Sequence, residues 1–210
     1  MRLGMCAAAL AGAAAPMSDA NAVVVTFSTP IAVPNTFAGV YINFLTGANG
    51  ITPASVPGWD FGPWGSSSTL AFFFNGTPAS SSGAVAGATT GPYLDLAPGS
   101  VVSSASTFAA VTATAATAAF QSTGTHTVGF RFFNENTSAI NYGYLTLSTT
   151  GPLGFPATVT GWSFEDSGAG ITVPSVVPEP ATGAMLSLGA LALGALNLRR
   201  LRRQRRQLAS

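Results

Sequence analysis

The chain has 210 residues, of which 7% are charged and 10% aromatic, and its formal net charge is +1. Ordinary globular proteins contain about 25% charged residues. Disordered chains combine low hydrophobicity with high charge, and this composition shows the opposite on both counts, so we expect a folded core. The single cysteine, Cys6, excludes an internal disulfide and a cysteine-based metal site.

The few charges are unevenly distributed. Lysine is absent, and between Val23 and Val176 the only arginine is Arg131. A mildly acidic body of this kind offers no basic patch for phosphate groups, which excludes nucleic acid as a partner of the body. The carboxylates of the same region are Asp60, Asp95, Glu135, Glu165 and Asp166.

The first 22 residues have the pattern of a secretory signal peptide. Arg2 precedes an uncharged run of small and apolar residues, Leu3 to Ala15, and an A-x-A pattern follows at Ala20 and Ala22. The run is too short to span a bilayer. We therefore predict cleavage after Ala22 and a secreted body over residues 23–176.

The body is predicted to be all-β. Val40, Ile42 and Phe44 alternate with polar or half-polar residues, and further β-like runs at 23–27, 70–74, 128–133, 142–148 and 159–164 are bounded by Gly, Pro, Asn and Ser. Short runs separated in this way indicate an antiparallel β-sandwich, and we expect it to be jelly-roll-like. The segment Ser106–Phe120 fits either helix or strand, and strand is preferred. Residues 57–65 are expected to form a loop.

The C-terminal end combines three features. An 18-residue stretch without charge, Ala181–Leu198, would rise about 27 Å as a helix, close to the thickness of a membrane core. A cluster of arginines follows it directly, which predicts a C-terminus on the cytoplasmic side and a body outside. The cluster comprises Arg199, Arg200, Arg202, Arg203, Arg205 and Arg206.

The motif Val177-Pro178-Glu179-Pro180, followed by an apolar helix and an arginine-rich tail, resembles the PEP-CTERM sorting signal of Gram-negative bacteria. The resemblance covers residues 177–210. It implies processing near the motif by an exosortase, with the protein first anchored in the membrane and then at the cell surface or extracellular. It also implies association with exopolysaccharide or biofilm material.

A second, looser resemblance concerns about 50 residues upstream of that signal. Gly129-Phe130-Arg131-Phe132, then Tyr142-Gly143-Tyr144, then Trp162-Ser163-Phe164-Glu165 are similar to strands that commonly precede PEP-CTERM signals. This resemblance implies a β-sandwich domain and assigns no activity to it.

Residues that could carry catalysis are few. His126 is the only histidine, and no Gly-x-Ser-x-Gly motif accompanies it. Glu165 and Asp166 are adjacent, so on a strand their side chains would point to opposite faces. We therefore predict no enzyme activity, no cofactor and no metal site. A secreted hydrolase that uses His126 or Glu165 is the second alternative.

The segment from Pro57 to Gly65 carries the other candidate site. Exposed Trp59 and Trp64 could stack on sugar rings while Asp60 binds hydroxyl groups, which would make the body a carbohydrate-binding module. The preferred interpretation, however, is that both indoles pack across an end of the sandwich, because most tryptophan surface in folded proteins is buried. The leading hypothesis is an exported surface or matrix protein, and the binding module is its first alternative.

Overall fold

The computed structural model describes residues 22–78 and 80–175. The described part is built almost wholly from antiparallel strands, with two short 3-10 helices at Pro53–Ser55 and Thr114–Phe120. In chain order the strands are β1 (Val24–Phe27), β2 (Ile31–Val33), β3 (Tyr41–Ile42), β4 (Asn49–Gly50), β5 (Phe61–Ser66), β6 (Thr69–Phe74), β7 (Gly83–Val85), β8 (Val101–Val102), β9 (Phe108–Ala109), β10 (Gly124–Asn134), β11 (Ala139–Thr149), β12 (Ala157–Glu165) and β13 (Ile171–Thr172).

Two sheets form most of the body. The larger has the order β1-β12-β11-β10-β7-β9, and β2 pairs with the first residues of β12. Its centre is a meander of three long strands, in which β10 pairs with β11 from Gly124–Thr149 to Asn134–Ala139. The smaller sheet has the order β4-β3-β5-β6. The all-β, antiparallel class predicted from the sequence is confirmed.

The two larger sheets contribute to one hydrophobic core. Alternation places Ile42, Phe61 and Phe72 on the inner face of the smaller sheet, and all three are fully buried. Phe44 follows β3 and stacks on Phe130 of β10, with 3.9 Å between ring centroids. This shared aromatic core is consistent with a β-sandwich.

The glycines of the GFRF and YGY segments allow close packing on both faces of the larger sheet. A Cβ at Gly143 would lie 2.4 Å from the Phe130 ring. A Cβ at Gly129, on the opposite face, would lie 2.8 Å from a methyl group of Val102. Close approach between layers therefore explains the glycine in each segment.

A second, smaller cluster covers part of the outer face of the larger sheet. The β8–β13 ribbon contributes Val102 and Ile171, which pack with Phe108 and Tyr142. The guanidinium of Arg131 lies over the Phe108 ring, with 4.7 Å from Cζ to the ring centroid. Within the described residues the lone arginine of the body is therefore part of a structural contact.

Two local predictions were wrong. Residues 61–65, expected in a loop, belong to β5, because pairing with β6 from Phe61–Phe74 to Ser66–Thr69 outweighs the local turn preference of Gly and Pro. The segment Ser106–Phe120, expected to be a strand, contains only the two-residue β9 and then the 3-10 helix Thr114–Phe120. Thr117 Oγ1 in that helix donates to Leu70 O at 2.6 Å, which ties the helix to β6.

Candidate functional site

The outer face of the smaller sheet carries an aromatic groove. Because side chains alternate along β5, Phe61 enters the core while Gly62 and Trp64 face outward. The groove has a volume of about 370 Å³. It is lined by Phe37, Ala38, Tyr41, Gly62, Trp64, Phe73 and Thr112.

Trp64 and Phe37 form one wall of the groove. Phe37 is 83% exposed, and its ring meets the Trp64 indole edge-on at 4.9 Å between centroids. Backbone hydrogen bonds hold the Phe37 segment along β5, since Val40 N donates to Pro63 O at 3.1 Å and Gly65 N donates to Thr36 O at 2.9 Å. Backbone hydrogen bonds thus hold the segment that carries this exposed ring beside β5.

The indole nitrogen of Trp64 is an unsatisfied donor. Within the described residues, Trp64 Nε1 is buried and has no hydrogen-bond acceptor. A buried donor without a partner costs about 1–3 kcal/mol.

Trp59 supports the groove from behind. Its indole packs edge-on against Tyr41, with 4.9 Å between ring centroids, and lies at 30° to the Phe73 ring, with 5.3 Å between centroids; both of these residues line the groove. The two tryptophans therefore lie on the same face of one sheet, where Trp64 forms a wall and Trp59 positions two neighbours. They do not pack inside the end of the sandwich.

The floor of the groove depends on Gly62. A Cβ at this position would lie 3.6 Å from Cδ1 of Tyr41, which is ordinary van der Waals distance. A side chain larger than a methyl group would therefore extend into the space between Tyr41 and Trp64. The absence of a side chain at Gly62 leaves the groove open.

Asp60 does not reach this face, and its expected place beside the indoles is corrected. Its side chain is only 4% exposed, and Oδ2 accepts a hydrogen bond from Phe44 N at 2.8 Å. Trp59 and Asp60 precede β5, and there the indole packs on Tyr41 and Phe73 while the carboxyl of Asp60 accepts from Phe44 N in the interior.

Burial changes the chemistry of Asp60. Burial raises the pKa of its carboxyl from 3.8 to about 8, because it disfavours the charged form. The hydrogen bond from Phe44 N lowers the pKa, and the negative charge of Glu135 raises it further. Asp60 is therefore a protonated, structural side chain at neutral pH.

His126 is held by two acceptors. Nδ1 lies 2.7 Å from Asp95 Oδ2, and Nε2 lies 3.2 Å from Ser122 O. Asp95 Oδ1 also accepts from Thr127 N at 2.8 Å. A general base in a triad needs a ring nitrogen directed at a nucleophile, and here the second nitrogen faces a backbone carbonyl.

Glu165 ends β12 and Asp166 follows it, and each carboxylate accepts a hydrogen bond from a backbone N–H group. Glu165 is buried, and its Oε1 accepts from Ser167 N at 2.9 Å. Asp166 Oδ1 accepts from Val23 N at 3.0 Å. Among the described residues, no three His, Cys, Asp or Glu side chains come together in a way that could hold a metal ion.

Several predicted sites lie outside the described residues. These are Ala20, the sorting motif Val177–Pro180 and the arginine cluster at 199–206. Ala22 is described and is exposed. In residues 22–78 and 80–175 no helix is long and apolar enough to cross a membrane, and the predicted span 181–198 is not among them.

Sequence reasoning identified Trp64 and missed Phe37, Tyr41 and Phe73. Phe73 could have been found, because in the run Phe72-Phe73-Phe74 of one strand the middle ring must face away from the core. Phe37 carries no such signal, since it lies in an irregular segment whose position depends on β5. No protein-family model, no curated protein and no solved structure matches the chain.

Proposed function

We propose that the protein is an exported surface or extracellular matrix protein whose β-domain binds polysaccharide through the aromatic groove. The observation that supports binding is the open groove on the outer face of the smaller sheet, with the exposed Phe37 ring beside Trp64. Aromatic rings that face solvent can stack on the apolar faces of sugar rings. Nothing in this proposal requires catalysis.

Export and processing rest on the two ends of the chain. The A-x-A pattern at Ala20 and Ala22 supports removal of a signal peptide. The motif at 177–180, the apolar stretch and the arginine cluster support membrane anchoring followed by exosortase cleavage. The finer topology, a jelly-roll-like β-sandwich, is part of the same proposal.

The groove favours a neutral polysaccharide over an acidic one. None of its lining residues carries a charged side chain. Arg131, the only Lys or Arg between residues 22 and 175, is engaged with Phe108 on the larger sheet. A carboxylate brought into the groove would lose water without gaining a cation, which is unfavourable.

Affinity electrophoresis of the exported protein in gels that contain a neutral glucan or an acidic uronan tests the proposal. We expect retardation by the neutral polymer that is insensitive to salt, because no ion pair contributes. Trp64→Ala should weaken binding at least about tenfold, the equivalent of 1.4 kcal/mol. Gly62→Val should do the same by filling the groove while every aromatic ring is kept.

Val101→Ala is the matched control for these variants. Val101 is another exposed apolar residue, 58% exposed, on the ribbon that packs on the larger sheet. Its replacement should leave retardation unchanged. If the unchanged protein migrates in both polymer gels as it does in a gel without polymer, carbohydrate binding is refuted. Retardation by the uronan alone would refute the neutral ligand.

A further inference from the structure

The first strand begins directly after the predicted cleavage site. Val24 of β1 pairs with Glu165 of β12. One residue earlier, Val23 N donates to Asp166 Oδ1 at 3.0 Å, and Asp166 N donates to Val23 O at 3.1 Å. Both the backbone and the side chain of Asp166 therefore hold Val23.

We propose that the bond between Ala22 and Val23 is a maturation site and that Asp166 binds the α-ammonium group released there. Hydrolysis breaks the bond between the Ala22 carbonyl carbon and the Val23 nitrogen. Water supplies a hydroxyl to the carbonyl carbon and a proton to the nitrogen, and the proton of the new carboxylic acid then moves to the amine, which leaves a carboxylate on Ala22 and an ammonium group on Val23. This inference rests on the proposed export, and it adds the residue that receives the new terminus.

The charges around Val23 suit an ammonium group. In the uncut chain the Val23 amide has one hydrogen to donate, whereas the terminal ammonium has three and a positive charge. Asp166 forms no salt bridge with any of the described residues. Oε1 of the neighbouring Glu165 accepts from Ser167 N and its Oε2 is buried, whereas Oδ1 of Asp166 lies 3.0 Å from Val23 N, so Asp166 is the carboxylate that faces Val23.

The position of the Ala22–Val23 bond also indicates the order of cleavage and of strand docking. Proteases cut exposed, unpaired segments. Because Val23 and Val24 are already paired in the folded body, cleavage has to precede the docking of β1 onto β12. The new ammonium then holds the edge strand at the point where it would otherwise fray.

The absence of lysine makes the experiment selective. In the processed protein the α-amine is the only primary amine. The intact mass of the exported protein shows where the chain begins, and reductive methylation with ¹³C-formaldehyde then labels that single amine for NMR. We expect the titration midpoint of the labelled amine to be about half a pH unit higher than in Asp166→Asn, the size expected for an exposed ion pair.

Glu135→Gln is the matched control. It removes one negative charge from an exposed turn, where the Glu135 carboxylate lies against Gly58. In Glu135→Gln the labelled amine should have the same titration midpoint as in the unchanged protein. A chain that begins at Val23 but has the same midpoint in Asp166→Asn would overturn this inference and leave export intact.

A chain that begins at another residue after the leader would also overturn the inference alone. A secreted chain that still begins at Met1 would overturn the export proposal together with the inference. A mature chain that begins at Val23, with a midpoint that falls on removal of the Asp166 charge, supports both.

Discussion

The two faces of the smaller sheet carry the same kind of residue with opposite consequences. On the inner face, Phe61 packs against Phe44, which is itself covered by Phe130, and all three are fully buried. On the outer face, Trp64 meets Phe37, which is 83% exposed. A second sheet covers the first group of rings, whereas no sheet formed by residues 22–78 and 80–175 covers the other. What lies opposite a ring therefore decides whether it stabilises the fold or is open to a ligand.

The largest expected change in the free energy of unfolding comes from a substitution in the core that covers the inner face of the smaller sheet. Phe130→Ala removes the ring that stacks on Phe44 at 3.9 Å and leaves a cavity between the sheets. We expect the free energy of unfolding, measured by urea denaturation, to fall by about 3–5 kcal/mol. A loss below about 1 kcal/mol would show that the two sheets do not share one core.

The buried carboxyl of Asp60 is expected to make the free energy of unfolding depend on pH. The pKa of Asp60 is about 8 in the folded protein, against an ordinary value of 3.8. Between these values the folded state keeps a proton that the unfolded chain has lost, so the free energy of unfolding falls as the pH rises. Asp60 therefore contributes stability that is fully present below pH 3.8 and is lost as the pH rises through about 8.

Urea denaturation at pH 5 and pH 9 measures this dependence. We expect the unchanged protein to be less stable at pH 9 by a few kcal/mol, since one pKa unit corresponds to about 1.4 kcal/mol. Asp60→Asn keeps an acceptor for Phe44 N and should remove most of the difference. Glu135→Gln should keep most of it, because burial is the largest cause of the raised pKa. An unchanged pH dependence in Asp60→Asn would contradict the assignment.

The smallest effect on stability is expected on the outer face. Phe37→Ala truncates a ring that is mostly in solvent, so the free energy of unfolding should change by no more than about 0.5 kcal/mol. The same variant should lose retardation in the neutral glucan gel. If Phe37→Ala destabilised the protein as much as Phe130→Ala, the distinction between a packed face and a binding face would fail.

The prediction of strands succeeded where the alternation was strong. Val40, Ile42 and Phe44 are all buried, as their spacing indicated, and the three long strands β10 to β12 contain the runs that were recognised. Prediction failed in the segment 57–65 because Gly62 and Pro63 are locally typical of a turn. Their pairing with β6 is a long-range effect that local propensity does not contain.

The candidate site was only partly predictable. Trp59 and Trp64 were chosen because tryptophan is conspicuous, and both lie at the groove or directly behind it. Asp60 was chosen because it lies next to Trp59, but its carboxyl is buried against Phe44 N, and that contact between two separate segments does not follow from neighbouring positions in the chain. Phe37 contributes a groove wall through contacts that form only once β5 is in place.

The amino-acid sequence by itself determined the all-β class, the acidic character of the body and the absence of any primary amine other than the N-terminal one, because these depend on composition and short-range alternation. Only the tertiary structure decided which aromatic rings are buried, that Asp60 is internal, and that Asp166 lies beside Val23. The physical reason is that each of these facts requires two segments distant in the chain to meet, and the meeting depends on sheet pairing and core packing as a whole.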